Sequence, residues 1–507
     1  MNRGKLSAEF ASSEGVRQGD PLGSLLFSLS MRNTYSNAIN NLDCNAVAVM
    51  DDIYIFGLPD PTLTAFDRFI TSLPAGGLSV NLPKSIAFLP DNPSDLLISE
   101  FTDRNLLYST ESIPALGSII SRNPDIISNW LLDQVSTLHE PFFKAILDSR
   151  LPTQHAFALL RSCMVPRMNY WARTIAPSTF SAAAHAFDTL VVDSFCQRLN
   201  LPDLPDVARA QLELPVSVGG FGLTSLVLVS PAAWYCAFAQ AFPTIRPLIE
   251  SMDALSDEIP FVLTLSQCFT YFSKYSFPRG SPISADINRF WVDYQQKRVL
   301  SGAQRLIMAA IYKARKEIIF NGFDRDSSDR ARLNSISAPF AGSWLTTLPI
   351  DPLFTIHNIH FALASRLRLG LVLFADVPCC ICGVSILESP FHFMGCSKLS
   401  GARTTRHDRI VQVLSSVARL CGVVVQIEPR IDGQDKQRGD GELFFHSQNG
   451  IFDCYVMHPC AKTYVKPAQR PLGASAVGEK RKVIQYDTRC KAQGFLFYPF
   501  VLEDFGA

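Results

Sequence analysis

The chain has 507 residues, of which 47% are hydrophobic and 18% are charged, an ordinary globular composition with room for about two to four domains. Its 46 basic and 46 acidic side chains balance, so any surface for nucleic acid must be local. Thirteen cysteines without a disulfide framework favour a reducing, intracellular compartment. Residues 1–5 open no signal peptide, and the longest apolar stretch, residues 226–242, predicts a buried helix rather than a membrane span.

The first informative pattern lies between residues 14 and 27. A turn rich in glycine, aspartate and proline, from Gln18 to Pro21, opens directly into an apolar run. Such a turn ahead of apolar residues at helical spacing predicts a helix over residues 22–39.

Residues 47–56 predict a β-hairpin with two carboxylates at its tip. The runs 47–50 and 53–56 are apolar and β-prone, and Asp51 and Asp52 lie between them. Adjacent carboxylates repel each other, and no cation lies among the neighbouring residues. A divalent ion such as Mg²⁺ would relieve the repulsion, because hard cations take carboxylate oxygens. The alternative is an exposed Asp-Asp turn without a ligand.

Two further segments, residues 77–85 and 116–120, follow the hairpin. The four segments in this order resemble motifs B, C, D and E of reverse transcriptases, with the closest likeness to the polymerases of non-LTR retrotransposons. The string Gln-Gly-Asp-Pro-Leu followed by the Asp-Asp hairpin is the specific part of this signature. The sequence departs from the family at Val49, where an aromatic residue is usual.

The resemblance implies a polymerase site built from these motifs. Asp51, and less directly Asp52, would bind Mg²⁺. Gln18 and Gly19 would help to position template and nucleotide. Lys84 would act near the triphosphate as a charge or a proton donor.

One motif of the family has no counterpart in this sequence. In the family, motif A and the fingers precede motif B, and motif A supplies another metal-binding aspartate. Only thirteen residues precede Glu14 here, and none is an aspartate in an apolar strand. A two-metal reaction needs carboxylates from two strands to hold ions about 4 Å apart. We therefore interpret the chain as amino-terminally truncated and expect no polymerisation by it alone.

Residues 126–200 predict helices, because apolar residues recur at helical spacing between prolines. Their position resembles the thumb that follows motif E, where basic residues would contact the template-primer backbone. The candidates are Arg161, Arg167 and Arg173. The alternative is three solvated arginines on amphipathic helices. Residues 201–370 resemble a helical, non-catalytic linker found after the thumb in the same elements.

Cysteine and histidine residues near position 380 predict a zinc site. The spacing C-x2-C-x9-H-x3-C selects Cys379, Cys382, His392 and Cys396. Two close pairs of such ligands suit tetrahedral Zn²⁺, and a closed set of four indicates a structural role. Cys380 is the alternative ligand if the register shifts, and unligated buried cysteines are the alternative without metal.

The end of the chain carries a second set of carboxylates. A turn at residues 448–450 joins two predicted strands, and Asp440 and Asp453 lie on this hairpin with twelve residues between them. Together they would hold one Mg²⁺, which would activate a water for phosphodiester hydrolysis. Lys482, in a predicted helix, would polarise the phosphate or orient the water. The alternative is a pair of ordinary surface carboxylates.

The remaining elements of this region follow from the same patterns. We predict helices over 410–421 and from residue 479, and strands over 423–427, 443–445, 451–456 and 495–502. The stretch Arg406-His407-Asp408-Arg409 is expected to open the first of these helices, with Asp408 in or before its first turn.

This arrangement resembles the restriction-like endonuclease of site-specific, early-branching non-LTR retrotransposons. There a Cys-Cys-His-Cys knuckle and an Arg-His-Asp-like stretch precede a Pro-Asp…Asp pattern and a Lys-x3-Tyr pair. Lys482 and Tyr486 would supply that pair, with Lys480 as the second choice for the lysine. The sequence departs from the family at Gly439, where proline is frequent, and at Tyr455, where a lysine is expected.

The patterns together predict a multidomain α+β protein. The predicted domains are a partial reverse-transcriptase palm (1–125), a helical thumb (126–200), a helical linker (201–370), a zinc knuckle (371–400) and an α/β restriction-endonuclease-like domain (401–507). The implied function is target-primed reverse transcription, in which a nuclease nicks DNA and a polymerase extends the exposed end on an RNA template.

The implied partners are an RNA template, target DNA and deoxynucleotides, and the implied cofactors are Mg²⁺ and Zn²⁺. No membrane partner is expected, and the implied place of action is the nucleus. Two alternatives remain open. One is a truncated or decayed remnant that binds nucleic acid without polymerase activity, and the other is a stand-alone, Mg²⁺-dependent DNA endonuclease.

Overall fold

The computed structural model describes residues 19–201, 204–250, 260–277, 302–373, 380–387, 389–431 and 438–506. It is a mixed α+β structure with many helices and small sheets, which confirms the predicted fold class at that level. The chain divides into two compact units, residues 1–126 and 127–507. The assignment of five domains stays a prediction.

The first unit alternates helices with short strands. Its elements are α1 Gly23–Ile39, β1 Cys44–Val49, β2 Asp52–Gly57, α2 Pro59–Ser72, β3 Ile86–Phe88, α3 Asp95–Thr102, β4 Leu107–Ser109, β5 Ser112–Ala115 and β6 Ser118–Ser121. The strands form three two-stranded sheets, of which β1–β2 and β5–β6 are antiparallel and β3–β4 is parallel. Small sheets of this kind need packing against helices for stability.

The predicted helix and hairpin at the start of this unit are confirmed, with one shift. Helix α1 begins at Gly23, and β1 and β2 pair as expected. Val49 is opposite Asp52, so the two turn residues are Met50 and Asp51 rather than the two aspartates. Met50 has a φ of 58°, a left-handed conformation that a tight hairpin turn demands of its residues.

Two small apolar clusters stabilise the first unit. One joins α1 to α2 and is formed by Met31, Ala38, Phe69 and Leu73. The other lies beside α3 and is formed by Leu63, Leu89, Phe101 and Leu106. Several leucines near the start of α1 are instead exposed, namely Leu22, Leu25, Leu26 and Leu29.

The second unit begins with a large helical region. Its helices are α4 Pro124–Gln134, α5 Glu140–Ile146, α6 Thr153–Leu159, α7 Asn169–Thr174, α8 Pro177–Leu199, α9 Asp206–Glu213, α10 Leu226–Glu250, α11 Pro260–Phe272, α12 Ala303–Asn321, α13 Ser328–Ile336, α14 Ser343–Thr346 and α15 Asn358–Leu369. They enclose one core with fully buried aromatic rings, among them Phe180, Phe187, Phe195, Phe221, Phe272 and Phe361. Each such ring contributes about 1.5–3 kcal/mol by burial.

Helix α10 confirms the buried helix predicted over residues 226–242. Its start is fixed by Asp188 of α8, whose carboxylate accepts hydrogen bonds from the backbone N–H groups of Leu226 and Val227 and from the Ser225 hydroxyl. These bonds satisfy donors that a helix leaves free at its first turn. Within the part of the chain that the structure describes, no helix is long and apolar enough to cross a membrane.

A four-stranded sheet with two long helices ends the second unit. Its elements are α16 His392–Gly395, α17 Ser400–Leu420, β7 Val424–Ile427, β8 Gly441–Phe444, β9 Gly450–Met457, α18 Gly473–Ala492 and β10 Leu496–Glu503. The strand order is β10-β9-β8-β7, with β10 parallel to β9 and the other neighbours antiparallel. All four predicted strands are confirmed.

The two helices beside this sheet begin earlier than the sequence analysis placed them. Helix α17 starts at Ser400 rather than 410, because no proline interrupts the preceding residues and a formed helix extends at little cost. The prediction that Arg406-His407-Asp408-Arg409 opens the helix was therefore wrong, because these residues lie inside it. Helix α18 starts at Gly473 rather than 479, since the buried Glu503 carboxylate accepts the Ser475 N–H in its first turn.

Candidate functional site

Strands β8 and β9 bring Asp440 and Asp453 together. Gly441 is opposite Phe452, which places the two aspartates opposite each other one residue further on. The Asp440 N–H donates to the Phe452 carbonyl oxygen at 3.0 Å, and the Cys454 N–H donates to Asp440 Oδ2 at 2.6 Å. Asp453 is 4% exposed, and the Asp440 side chain is 21% exposed. The two carboxylates thus lie side by side at one partly buried position on the sheet.

Helix α18 supplies a cation and a phenol to this position. Lys482 Nζ lies 2.6 Å from Asp453 Oδ2, and its side chain is 16% exposed. The ammonium also lies 5.0 Å from the ring centre of Tyr455 and 5.5 Å from that of Tyr486. The Tyr486 phenol lies near the Asp453 carboxylate. The predicted lysine–tyrosine pair therefore meets the second aspartate of the hairpin.

Helix α17 contributes a residue that the sequence analysis did not assign to the site. His407 Nε2 lies 3.1 Å from Asp440 Oδ2 and 3.2 Å from the Cys454 carbonyl oxygen, and Nδ1 lies 3.2 Å from Asp408 Oδ1. The only signal for His407 was its place in the Arg-His-Asp stretch. Its contact with Asp440 depends on how α17 crosses the sheet, which no local pattern specifies.

The surroundings change how these groups titrate. Burial raises the pKa of Asp453, and the negative charge of Asp440 raises it further. The ion pair with Lys482 lowers this pKa but does not cancel the increase. Burial lowers the pKa of His407, but hydrogen bonding to Asp408 and the charge of Asp440 outweigh burial and leave the pKa above 6.5. Burial and the two aspartates raise the pKa of Tyr486 to about 12, so this phenol stays protonated at neutral pH.

A buried ion-pair network holds α17 against the ends of β9 and β10. Arg406 donates from Nη1 to Asp504 Oδ1 at 2.6 Å, and His458 Nδ1 lies 3.0 Å from Asp504 Oδ2. The Asp504 side chain is fully buried. Because an unpaired buried carboxylate is costly, these contacts fix the helix that carries His407.

A cluster of one histidine and three cysteines lies between the helical region and the sheet. Single ligand atoms of Cys380, Cys382, His392 and Cys396 all lie within 4.8 Å of one another. Cys382 Sγ is 3.0 Å from His392 Nε2. Soft and borderline ligands at this mutual distance fit one tetrahedral Zn²⁺. The set contains Cys380, the alternative ligand of the sequence analysis, whereas Cys379 lies outside the described residues.

A tight turn presents the first two of these cysteines. The Gly383 N–H donates to the Cys380 carbonyl oxygen at 2.7 Å, and Gly383 has a φ of 88°, which favours glycine. Although burial raises the pKa of a thiol, hydrogen bonds from the Lys398 N–H and the other ligands lower the pKa of Cys396 to about 7. A thiol that ionises this readily is prepared for metal binding.

The first unit places its aspartate pair at the surface. Asp51 and Asp52 are exposed at the tip of the β1–β2 hairpin, and no side chain of the described residues forms an ion pair with either. The Tyr35 hydroxyl donates to the Met50 carbonyl oxygen at 3.1 Å, and burial and Asp51 raise the pKa of Tyr35. The Leu116 N–H donates to the Tyr54 hydroxyl at 3.2 Å, which joins the β5–β6 turn to the hairpin.

The other predicted polymerase residues are spread around this unit. Gly19 has a φ of 89° beside a turn in which Asp20 accepts the Leu22 N–H. Lys84 is exposed at the end of a short 3₁₀ turn. Gln18 lies outside the described residues.

The three arginines predicted to contact nucleic acid lie in the helical region of the second unit. Arg167 is exposed, with its guanidinium 5.6 Å from the Phe142 ring centre. Arg161 is half-buried against Gly222. Arg173, which also belongs to this series, donates to Gln240 and Gln304, so it is held by amide partners within the fold.

Comparison with known proteins gives one informative likeness. No protein-family model matches the chain. Over 99% of its length the chain is 23% identical to the Retrotransposable element SLACS 132 kDa protein of Trypanosoma brucei gambiense, and it spans 37% of the length of that protein. The chain is thus related to a retrotransposon protein, which confirms the predicted relation at that level. Its reverse-transcriptase and endonuclease parts stay predictions.

Proposed function

We propose that the carboxy-terminal part of the chain is a Mg²⁺-dependent nuclease that nicks DNA. The observation that carries this proposal is the meeting of Asp440, Asp453 and Lys482 at one position of the β8–β9 hairpin. Two carboxylates can hold a metal ion for phosphodiester hydrolysis, and a lysine can stabilise charge on the phosphate. Their convergence from separate elements argues against ordinary surface carboxylates.

The residues present fit a divalent cation. Asp453 is buried and already carries a cationic partner at 2.6 Å, so the position favours positive charge. Carboxylate oxygens are ligands that Mg²⁺ prefers, and Asp440 and Asp453 would hold it. When bound, the ion would supply Lewis acidity and lower the pKa of a water.

The remaining side chains have distinct tasks in this proposal. Lys482 would leave Asp453 and donate to a non-bridging phosphate oxygen, where charge develops. His407 would hold the Asp440 carboxylate in place through Nε2. Tyr486 would keep Asp453 oriented by its hydroxyl, which does not ionise near neutral pH.

The test is nicking of supercoiled plasmid DNA by the purified chain with Mg²⁺. Asp453→Ala is expected to abolish nicking, whereas the control Asp193→Ala, which changes an exposed aspartate on α8, is expected to leave it unchanged. Equal nicking by all three proteins would contradict the proposed site. The absence of nicking by the unaltered chain, with its fold and bound zinc verified, would contradict the function.

RNA-directed DNA synthesis is the second candidate function, and the hairpin of the first unit favours it. An aspartate pair at the tip of an antiparallel hairpin, with the β5–β6 turn bonded to Tyr54, fits a surface that receives Mg²⁺ and nucleotide. Likeness to a retrotransposon protein supports the same reading. The partners would be an RNA template, a DNA primer and deoxynucleotides, and the nucleus would be the place of action.

Primer extension on an RNA template tests this candidate. Extension that disappears in an Asp51→Ala and Asp52→Ala double variant would support it. Binding of nucleic acid without extension or nicking would instead support the reading as an inactive remnant. Nicking without extension would support a stand-alone endonuclease.

A further inference from the structure

A second group of polar side chains adjoins the Asp440–Asp453 position. Tyr455 lies two residues after Asp453 on β9 and therefore points to the same face of the sheet. Tyr464 comes from the loop between β9 and α18, and Arg481 precedes Lys482 on α18. Tyr455, Tyr464 and Arg481 are called the tyrosine–arginine cluster below.

The contacts within this cluster are close. The Tyr455 and Tyr464 hydroxyl oxygens are 3.5 Å apart, and Arg481 lies near the Tyr455 phenol. Lys482 Nζ lies 5.0 Å from the Tyr455 ring centre, so the cluster and the ion pair with Asp453 share a border. Both phenols are half-buried, whereas Arg481 is exposed.

The cluster contains only groups that can donate hydrogen bonds to an anion. A guanidinium has five N–H donors and no acceptor, and a phenol donates one O–H. Among the described residues, neither phenol nor Arg481 has a carboxylate as its hydrogen-bond partner. The guanidinium is therefore positioned by a neutral group and keeps its charge for a ligand.

Exposed lysines near the tyrosine–arginine cluster add positive charge. Lys462 and Lys466 flank Tyr464 on the same loop and are exposed, and Lys480 is exposed beside Arg481. Exposed lysines that neighbour the cluster in sequence favour a chain of phosphates over a single small anion as its ligand, because a polyanion engages several cations at once.

We propose that the tyrosine–arginine cluster binds the phosphodiester group next to the one that is cut. The proposal rests on the nuclease function proposed above and names a binding site that the catalytic groups do not include. Arg481 would contact two oxygens of this phosphate through its planar fork, and Tyr455 and Tyr464 would donate from the other side. The site would hold the strand in register with Lys482 and Asp453.

The test uses the full chain with Arg481→Met and the matched control Arg489→Met, an exposed arginine two turns further along α18. Binding of a short fluorescent DNA duplex is followed by anisotropy in EDTA over a range of salt concentrations. Arg481→Met is expected to weaken binding about tenfold, or roughly 1.4 kcal/mol, and to reduce the salt slope by about one. Arg489→Met is expected to change the slope less.

Nicking kinetics provide the second readout. Arg481→Met is expected to raise KM for plasmid while kcat stays within about twofold, because the residue binds the strand and not the reacting atoms. Tyr464→Phe removes one hydroxyl and is expected to raise KM by a smaller factor. Arg481→Lys keeps the positive charge but loses the planar guanidinium, and its KM is expected to lie between those of the unaltered chain and Arg481→Met.

The outcomes separate the two proposals. Equal effects of Arg481→Met and Arg489→Met would overturn the cluster proposal and leave the nuclease proposal intact. Absence of nicking by the unaltered chain, together with a salt slope that changes only in Arg481→Met, would overturn the nuclease and retain an anion site. Competition by millimolar inorganic phosphate as effective as that by duplex DNA would identify a small-anion site and overturn the phosphodiester assignment.

Discussion

The two units hold their aspartate pairs in opposite ways. In the first unit, Asp51 and Asp52 are exposed at a hairpin tip and have no ion-pair partner among the described residues. In the second, Asp453 is buried against Lys482, and Asp440 is held by His407 and a backbone N–H. The same residue type thus lies in water in one unit and in a prepared environment in the other. Adjacency of carboxylates in sequence therefore does not by itself build a site.

The largest expected effect is on activity. Asp453→Ala should lower nicking at least about a hundredfold, because it removes a proposed ligand of the metal ion. Asp51→Ala should leave nicking unchanged, and it should affect only primer extension if the chain supports extension. The rates of plasmid nicking and of primer extension are the measurements. A loss of nicking in Asp51→Ala would contradict the assignment of nicking to the aspartates of the second unit alone.

The cluster of Cys380, Cys382, His392 and Cys396 could hold a zinc ion, and loss of its ligands should have the next largest effect. Cys380→Ser and Cys396→Ser should each lose one equivalent of zinc and lower the melting temperature by several degrees, because metal binding contributes folding free energy. Cys421→Ser, which changes an exposed free cysteine, should retain zinc and stability. Zinc content and thermal unfolding are measured together.

Zinc content also decides between the two neighbouring cysteines. Cys379→Ser should keep its zinc if Cys380 is the ligand, as the observed cluster indicates. Loss of zinc from Cys379→Ser but not from Cys380→Ser would restore the ligand set that the C-x2-C spacing suggested.

The buried ion pair of Lys482 and Asp453 should contribute to stability, whereas the exposed aspartates of the first unit should not. Lys482→Met leaves the Asp453 carboxylate buried without its cation and should reduce the free energy of unfolding by about 3 kcal/mol. Adding Asp453→Asn should recover much of this loss, and Asp51→Ala should stay within about 0.5 kcal/mol of the unaltered chain. Urea unfolding of the four proteins gives the comparison. A loss that the second substitution does not relieve would show that packing, not charge, dominates.

The smallest expected effect concerns pH. The pKa of His407 is raised in the folded state, so its protonated form stabilises the fold below about pH 6.5, and this stabilisation is lost as pH rises through the folded pKa. His407→Gln should remove that dependence, with a difference of at most about 1 kcal/mol. Urea unfolding at pH 5.5 and pH 8 measures it. If His407→Gln lowered the free energy of unfolding more at pH 8 than at pH 5.5, the raised pKa assigned to His407 would be contradicted.

Much of the secondary structure was predictable because periodicity is a local property. The strands that carry Asp440 and Asp453 followed from alternation and turn residues, and their hairpin places the two aspartates opposite each other. Helix starts were less predictable, since Gly473 and Gly478 disfavour a helix locally and the Glu503 carboxylate stabilises its first turn from another strand.

The composition of the site was predictable only in part, because its contacts are long-range. His407 meets Asp440 through the crossing of α17 over the sheet, and Asp504 is buried by Arg406 and His458. Spacing also could not rank Cys379 against Cys380, since both precede Cys382 closely enough to share a turn with it. Those choices depend on packing, not on pattern.

Phe505 has a consequence for the order in which the second unit forms. Its ring lies 5.4 Å from Phe391 of the segment before α16, and both pack in one core with Leu214 and Leu333 of the helical region. During synthesis Leu214, Leu333 and Phe391 leave the ribosome before Phe505 does. Their shared core therefore stays partly open until strand β10 and Phe505 have been made, and we expect the nascent chain to be most prone to aggregation during that interval.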